Sequence, residues 1–316
     1  MTTVPIIAGP TAVGKTDIAV DVAERLGAEI ISADSRQVYR ELTIGTAKPT
    51  PAQRERVRHH FIDERCLDEP WSAGRFETEA RQRIAHLTEG GTRSVVTGGS
   101  TLYIHALMYG LADVPDLHPD VVALTNRELD KLGSARLHDA LRAVDPAAAE
   151  RIDPTNSHRI ARALAVYRST GRPIGSFFRS TKPDQTFRLI LLERERADLY
   201  DRINRRVEAM INEGLLQEVR RLIRRGVDTA APALRSIGYA ELVEHLDGTI
   251  SMDEAVRLIK RNSRRYAKRQ LTWFRRYTDA QRLDATLPVP LLVQQVLSGV
   301  NDSRSSSAWP RNATEY

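Results

Sequence analysis

Val4-Pro5-Ile6-Ile7-Ala8-Gly9-Pro10-Thr11-Ala12-Val13-Gly14-Lys15-Thr16 is the stretch on which the fold turns. Val4 to Ala8 is a short apolar run, rich in β-branched residues, that reads as a buried strand. Gly9 to Thr16 then matches G-x-x-x-x-G-K-[ST] at every fixed position, between a strand and a helix, which is the context the motif requires. The glycines let the backbone curl so that successive N–H groups converge, and the following helix adds the positive end of its dipole. Lys15 brings a point charge to bound phosphates, and Thr16 offers the hydroxyl that ligates Mg²⁺ in such loops. Gly9, Pro10, Thr11, Ala12, Val13, Gly14, Lys15 and Thr16 are therefore expected to hold a polyphosphate.

Working outward, Ile18, Ala19, Val22, Ala23 and Leu26 make a helical stripe closed by Gly27. Ala28 to Ala33 and Ser94 to Thr97 read as two more short strands, and a helix begins near Leu102. Strand, helix, strand in this order predicts an α/β fold whose parallel sheet is flanked by helices. The strand ending at Ala33 delivers Asp34 to the carboxyl edge of that sheet, where open α/β sheets bind ligands. There Asp34 reads equally as a general base or metal holder and as an N-cap for the segment that follows. The strand Ser94 to Thr97 runs into Gly98-Gly99-Ser100 without the acid that positions Mg²⁺ in a motor ATPase. A small-molecule kinase using Asp34 stays open on this reading.

From Pro119 to about Gly171 four helical patterns follow one another with no strand between them: Val121 to Leu132, Ala135 to Val144, Ala147 to Ile152 and His158 to Ser169. Phe187 to Leu192 is strand-like and should rejoin the sheet. Amphipathic helices follow at about Ala197 to Gly214, Leu215 to Arg225 and Met252 to Tyr277. The expected division is a P-loop core with C-terminal helices over 1–112 and 184–300, and an all-helical insertion over 113–183. The polar, serine-rich stretch 301–316 is expected to be a disordered tail.

The composition is that of an ordinary globular chain of 316 residues, with Lys and Arg exceeding Asp and Glu by 47 to 41. The lone Cys66 excludes a disulfide framework and a Cys/His zinc site. No window approaches the ~20 apolar residues that cross a bilayer, and the N-terminus lacks a signal peptide's basic and apolar regions. No membrane association, a cytoplasmic location and a monomer are expected.

Eight segments, read together, resemble the bacterial tRNA dimethylallyltransferase family. They are GPTAVGKT (Gly9 to Thr16), ISADSRQVYR (Ile31 to Arg40), IGTAKP (Ile44 to Pro49), HHFID (His59 to Asp63), TGGSTLY (Thr97 to Tyr103), HRIARAL (His158 to Leu164), LRSIGYAE (Leu234 to Glu241) and RRYAKRQLTWFR (Arg264 to Arg275). The resemblance implies a P-loop NTPase-like core with a helical insertion, dimethylallyl diphosphate as donor, and Mg²⁺ as cofactor. The implied acceptor is the N6 amine of adenosine 37 in the anticodon stem-loop of tRNA. It implies that Asp34 is the general base and that Ser100, where the family usually has threonine, stands beside the reacting centre. Arg235 matches an arginine associated with the diphosphate. Asp34, Ser35, Arg36 and Gln37, and Arg159, Ile160, Ala161, Arg162 and Ala163, match segments that contact tRNA. Thr43 and Ala165 depart from the family pattern.

Lys260 to Arg276 holds eight cations and no acid, with Tyr266, Trp273 and Phe274 interleaved. Arg261, Arg264, Arg265 and Lys268 recur at i, i+3, i+4, i+7, one face of a helix. Arg264, Lys268 and Arg269 are expected to meet RNA phosphates, whereas the aromatics are expected to pack into the core. Arg159 and Arg162 supply a second basic face on the insertion. His59-His60 has no further Cys or His around it, and a structural role is expected. Besides the kinase, a prenyltransferase of free adenine nucleotides and a non-catalytic RNA-binding protein are the competing readings.

Overall fold

The computed structural model describes residues 3–111, 114–177 and 184–301. In chain order the elements are β1 (Val4–Ala8), α1 (Lys15–Leu26), β2 (Ala28–Ala33), α2 (Pro51–Arg56), β3 (His59–His60), α3 (Ala73–Glu89), β4 (Arg93–Gly98) and α4 (Thr101–Tyr109). There follow α5 (Pro119–Val144), α6 (Pro146–Arg151), α7 (Ser157–Thr170), β5 (Phe187–Glu193), α8 (Arg196–Asn212), α9 (Leu215–Arg224), α10 (Tyr239–Leu246), α11 (Met252–Phe274), β6 (Gln281–Asp284) and α12 (Val289–Asn301).

The six strands form one parallel sheet in the order β3-β2-β4-β1-β5-β6. β1 lies between β4 and β5, pairing Ile6 with Val96 on one side and with Leu189 on the other. The chain first builds outward past β4 to β2 and β3, then returns to the other side of β1. The P-loop therefore leaves the sheet at the switch point of the strand order, where the flanking crossovers part and leave room for a ligand. The central strands carry consecutive apolar residues, Ile6-Ile7, Ile30-Ile31, Val95-Val96 and Leu189 to Leu192, because helices cover both faces. Ile7, Ile30, Val95, Ile190 and Leu192 are buried with the inner faces of α1 and α8.

Two strands were not legible in the sequence. β3 is two residues long, and β6 buries only Leu283 of its four residues. Neither carries an alternating or continuous apolar run to read.

Residues up to Met108 and from Asp184 to Asn301 form one compact unit, and Tyr109 to Phe177 form another. Within the second, α5, α6 and α7 close around Leu137, Leu141, Ala149, Ile152, Ile160 and Leu164. α5 is interrupted at Gly133, whose φ of 79° is not helical. Asp145 is buried there, accepting from Ala148 N at 3.0 Å and Ile174 N at 3.0 Å, so it caps α6 and pins the segment after α7. Of the expected tail, 301–316, Asn301 is the last residue of α12 and residues 302–316 lie outside the described residues.

His60 is held by Glu29 at 2.5 Å and by the Arg83 guanidinium. These bonds tie β3 to β2 and α3, and no group of three or more His, Cys, Asp or Glu among the described residues could hold a metal ion. No helix among the described residues is long and apolar enough to cross a membrane.

Candidate active site

The P-loop curls because its glycines take backbone shapes that side chains disfavour. Gly14 caps α1 with φ 106°. At Gly9 (φ 154°) a Cβ would stand 2.6 Å from the Leu192 carbonyl oxygen, so the first turn of the loop passes too close to β5 for any other residue. Arg194 Nε and Arg202 Nε, both from after β5, donate to Val13 O at 3.1 Å and Ala12 O at 2.8 Å. These bonds take up outward-facing carbonyls of the loop. Lys15 Nζ donates to Gly9 O at 3.0 Å and Pro10 O at 2.8 Å, which folds its side chain back over the loop.

Two cavities meet at this loop. The first, about 500 Å³, is lined by Lys15, Thr16, Ser32, Gly99 and the α8 cations Arg202, Arg205 and Arg206. The second, about 450 Å³, is lined by Ser35, Arg36, Ser100, Arg235, Ile259 and Arg269. Thr11, Ala12, Asp34, Thr46, Arg206 and Tyr266 line both. The sequence placed Lys15, Thr16, Asp34, Ser100 and Arg235 at one centre. The fold distributes them over two adjoining chambers, with Asp34 in the shared wall.

Asp34 caps a turn and also faces the cavities. Its Oδ1 accepts from Arg36 N at 2.8 Å and Gln37 N at 3.1 Å, capping the turn after β2. The same carboxylate borders both cavities. Ser100 Oγ accepts from Ser35 N at 3.1 Å, and Ser100 N donates to Ala33 O at 3.3 Å, so the turns after β2 and β4 are laced together. Gln37 points the other way: its Nε2 donates to Thr46 O and Ala47 O, each at 3.1 Å, and its Oε1 accepts from Ser32 Oγ at 3.2 Å.

The loop carrying Thr46 hangs from a buried carboxylate that sequence reasoning missed. Glu218 of α9 accepts from Thr43 N and Ile44 N, at 3.2 and 2.9 Å, and from Tyr239 Oη at 2.6 Å. These donors offset the cost of burying its charge. Thr43 contributes its backbone N–H to this anchor, so its departure from the family pattern leaves the anchor in place.

Sequence reasoning expected the helix α8 but missed the cations that it brings to the site. Arg206 is half-buried, borders both cavities, and makes no hydrogen bond or ion pair among the described residues. Burial holds its pKa below the usual guanidinium range, and nearby Asp34 opposes that shift. Burial and the neighbouring Arg206 charge bring Lys15 down to about 7, with Asp34 again acting the other way. Two cations that crowd each other around one cavity are positioned for a multiply charged anion. A legible signal existed: Arg202 and Arg206 repeat at i, i+4, each one residue before the buried Ile203 and Val207.

The basic helix, α11, divides more finely than its charge pattern suggested. Lys260 pairs with Glu208 at 2.5 Å, so the eight cations are not all uncompensated. Arg264 is half-buried and donates to Asn204 Oδ1 at 2.6 Å, because α8 packs along that side of the helix. Arg265, Lys268, Arg269, Arg275 and Arg276 are exposed, and Arg269 borders the second cavity. Of the aromatics, Phe274 is core, as expected. Tyr266 instead walls both cavities, with its hydroxyl raised to about 12 by burial and by Asp34. On the insertion, Arg159 and Arg162 are exposed, whereas Ile160, Ala161 and Ala163 are buried. Helical periodicity turns those three side chains inward, which leaves Arg159 and Arg162 as the groups able to touch a ligand.

The family model for IPP transferase matches residues 37–277. A tRNA dimethylallyltransferase of Salinibacter ruber is 52% identical over 276 residues, covering 86% of this chain and 85% of that one. That of Thermotoga neapolitana is 45% identical, covering 87% and 90%. Among solved structures, a tRNA Δ2-isopentenylpyrophosphate transferase from Staphylococcus epidermidis superposes with a TM-score of 0.71 at 36% identity, covering 96% of this chain and all of that one. A eukaryotic dimethylallyltransferase acting on tRNA gives 0.77 at 26% identity, covering 90% and 74%.

Proposed function

We propose, from the premise that the chain belongs to the IPP transferase family, that it transfers a dimethylallyl group from dimethylallyl diphosphate to the N6 amine of adenosine 37 in tRNA. The observation that carries the reading is the place of Asp34, in the wall shared by a cationic chamber and a slightly smaller, more apolar one.

The reaction breaks the allylic C–O bond and forms a C–N bond, and the amine's proton leaves. Positive charge develops on the dimethylallyl carbon and negative charge on the departing diphosphate. Groups that bind the diphosphate more tightly as the C–O bond lengthens accelerate the step. The P-loop amides, Lys15 and Arg206 supply such groups in the first chamber. The adenine amine is a weak nucleophile because its lone pair is delocalised into the ring. Asp34, open to the second chamber, accepts the amine's proton as the new bond forms. Ser100 and Arg235 border the chamber in which the base sits. Ser100 holds the Asp34 turn through Ser35 N, and Arg235 adds positive charge on the side away from Lys15. The target base reaches this chamber only when flipped from its stack.

The donor set fits Mg²⁺, which takes one or two protein oxygens and completes its shell from phosphates and water. The Thr16 hydroxyl is the protein group that would hold it, and the ion would neutralise charge on the diphosphate. On this reading the enzyme acts as a monomer, in the cytoplasm where its tRNA is found.

Arg206→Met should raise the KM for dimethylallyl diphosphate by about tenfold while leaving tRNA affinity unchanged, since one charge-assisted contact is worth roughly that much. Steady-state titration of each substrate separates the two effects. Charge reversal at Arg159→Glu and Arg162→Glu together should weaken tRNA binding and flatten its salt dependence, with dimethylallyl diphosphate binding intact. Filter binding over a range of salt concentrations measures this, and an unchanged slope would count against the insertion as an RNA surface.

The acceptor is tested by offering labelled dimethylallyl diphosphate with tRNA or with AMP. Label entering tRNA alone supports the reading. Label entering AMP indicates a prenyltransferase of free nucleotides, and ATP consumption without prenyl transfer indicates a kinase.

A further inference from the structure

The geometry points to Gln270 as a positioning residue for the proposed prenyl transfer. Its amide ties the P-loop to the Gly98-Gly99-Ser100 turn and fixes the diphosphate cradle relative to Ser100. This inference rests on the function proposed above.

Gln270 is 3% exposed, although it sits on the helix whose outer side carries Arg265, Lys268 and Arg269. Its Oε1 accepts from Thr11 N at 2.9 Å and its Nε2 donates to Gly99 O at 2.7 Å. The two partners fix the orientation of the amide, since the reverse would set donor against donor and acceptor against acceptor. Thr11 and Gly99 follow β1 and β4, which are neighbours in the sheet. Beyond the ends of those strands no ladder bond holds the two loops together, and Gln270 bridges them there. Removing the bridge leaves an amide and a carbonyl that were paired inside the protein without those partners. The two loops would then drift, and misplacement of reacting groups by about 1 Å can cost on the order of a hundredfold in rate.

Gly99 allows the bridge to be broken from the other side. A Cβ at that position would stand 2.6 Å from Gln270 Nε2, with Gly9 O and Lys15 Nζ at 3.4 and 3.6 Å. Gly99→Ala therefore displaces the amide while residue 270 stays unchanged. A shared bridge makes the two substitutions non-additive.

The test is a double-mutant cycle on Gln270→Leu and Gly99→Ala in the full-length enzyme. It reads kcat/KM for dimethylallyl diphosphate and the affinity for inorganic diphosphate. Each single variant should lose about ten- to a hundredfold in kcat/KM, with tRNA affinity unchanged, and the double variant should lose no more than the worse single. Losses that multiply in the double variant, or a Gln270→Leu enzyme with wild-type kcat/KM, would overturn the assignment. If Gln270→Leu does not fold, Gln270→Glu replaces it in the cycle. That variant keeps an acceptor for Thr11 N and removes the donor to Gly99 O; wild-type kcat/KM for it, or additivity with Gly99→Ala, overturns the assignment equally. A wild-type enzyme that binds diphosphate and transfers no prenyl group would refute the proposed function, and the cycle read on diphosphate affinity would still decide the bridge.

Discussion

Asp34→Asn is expected to lower kcat for prenyl transfer about a thousandfold, within the range that a positioned general base contributes. The asparagine is the informative replacement. Its Oδ1 can still accept from Arg36 N and Gln37 N, at 2.8 and 3.1 Å in the wild type, so the turn after β2 keeps its cap. Asp34→Ala removes base and cap together and adds a loss of about 1 kcal/mol of local stability. Single-turnover measurements with saturating tRNA, beside filter binding of the same tRNA, separate the effects. The asparagine variant should bind tRNA as the wild type does and react slowly. Turnover near wild type would remove Asp34 from the chemistry and leave it as a cap.

The second large effect is expected at Lys15. Lys15→Met should cost between about a hundred- and a thousandfold in kcat/KM for dimethylallyl diphosphate, because it deletes a charge aimed at the leaving group. The pH dependence gives an independent reading. Burial and Arg206 hold the Lys15 ammonium at about 7 in the ligand-free protein. A bound diphosphate favours the charged form and raises that value. Below about 7 the ammonium is already protonated, and binding takes up no proton at this residue. Above it, binding must protonate Lys15, so affinity falls as pH rises until the bound-state pKa is reached. Calorimetry at pH 8 in buffers of different protonation enthalpy should show proton uptake by the wild type and less by Lys15→Met. Equal uptake by both would place the titrating group elsewhere.

How much of this was legible in the sequence differs from residue to residue. The P-loop carried its own context, because strand, glycine spacing and helix stripe are all local. Asp34 was visible as an acid at a strand end, but that one carboxylate both caps the turn and borders the two cavities was not, since a cap and a base leave the same trace. Arg206 and Arg202 reach the phosphate chamber from a helix about 190 positions along the chain from the loop they face, Arg202 bonding to Ala12 O across that separation. Nothing in the local pattern says that α8 lies over the P-loop. Gln270 was hidden by its neighbours, as a neutral polar residue in a run of cations reads as part of a solvated face. Arg264 shows the converse, a cation that belonged to the periodic basic face and is taken up by Asn204. Charge periodicity identifies a helix face but not which part of it a neighbouring helix will cover.

The insertion followed the same logic. Its helices were legible because α5, α6 and α7 pack mainly on each other, and their apolar periodicity is nearly complete in the sequence. The segment 159–163 divides by the helical repeat into outward arginines and inward Ile160, Ala161 and Ala163.

The central claim is that the P-loop holds a diphosphate that departs intact. The most direct test supplies dimethylallyl diphosphate doubly labelled, with carbon label in the hydrocarbon and phosphorus label in the diphosphate, together with tRNA. All the carbon label should enter tRNA, and all the phosphorus label should be recovered as free diphosphate in equal amount. Phosphorus label appearing in tRNA or as monophosphate would mean that the loop passes a phosphoryl group onward, and would contradict the account.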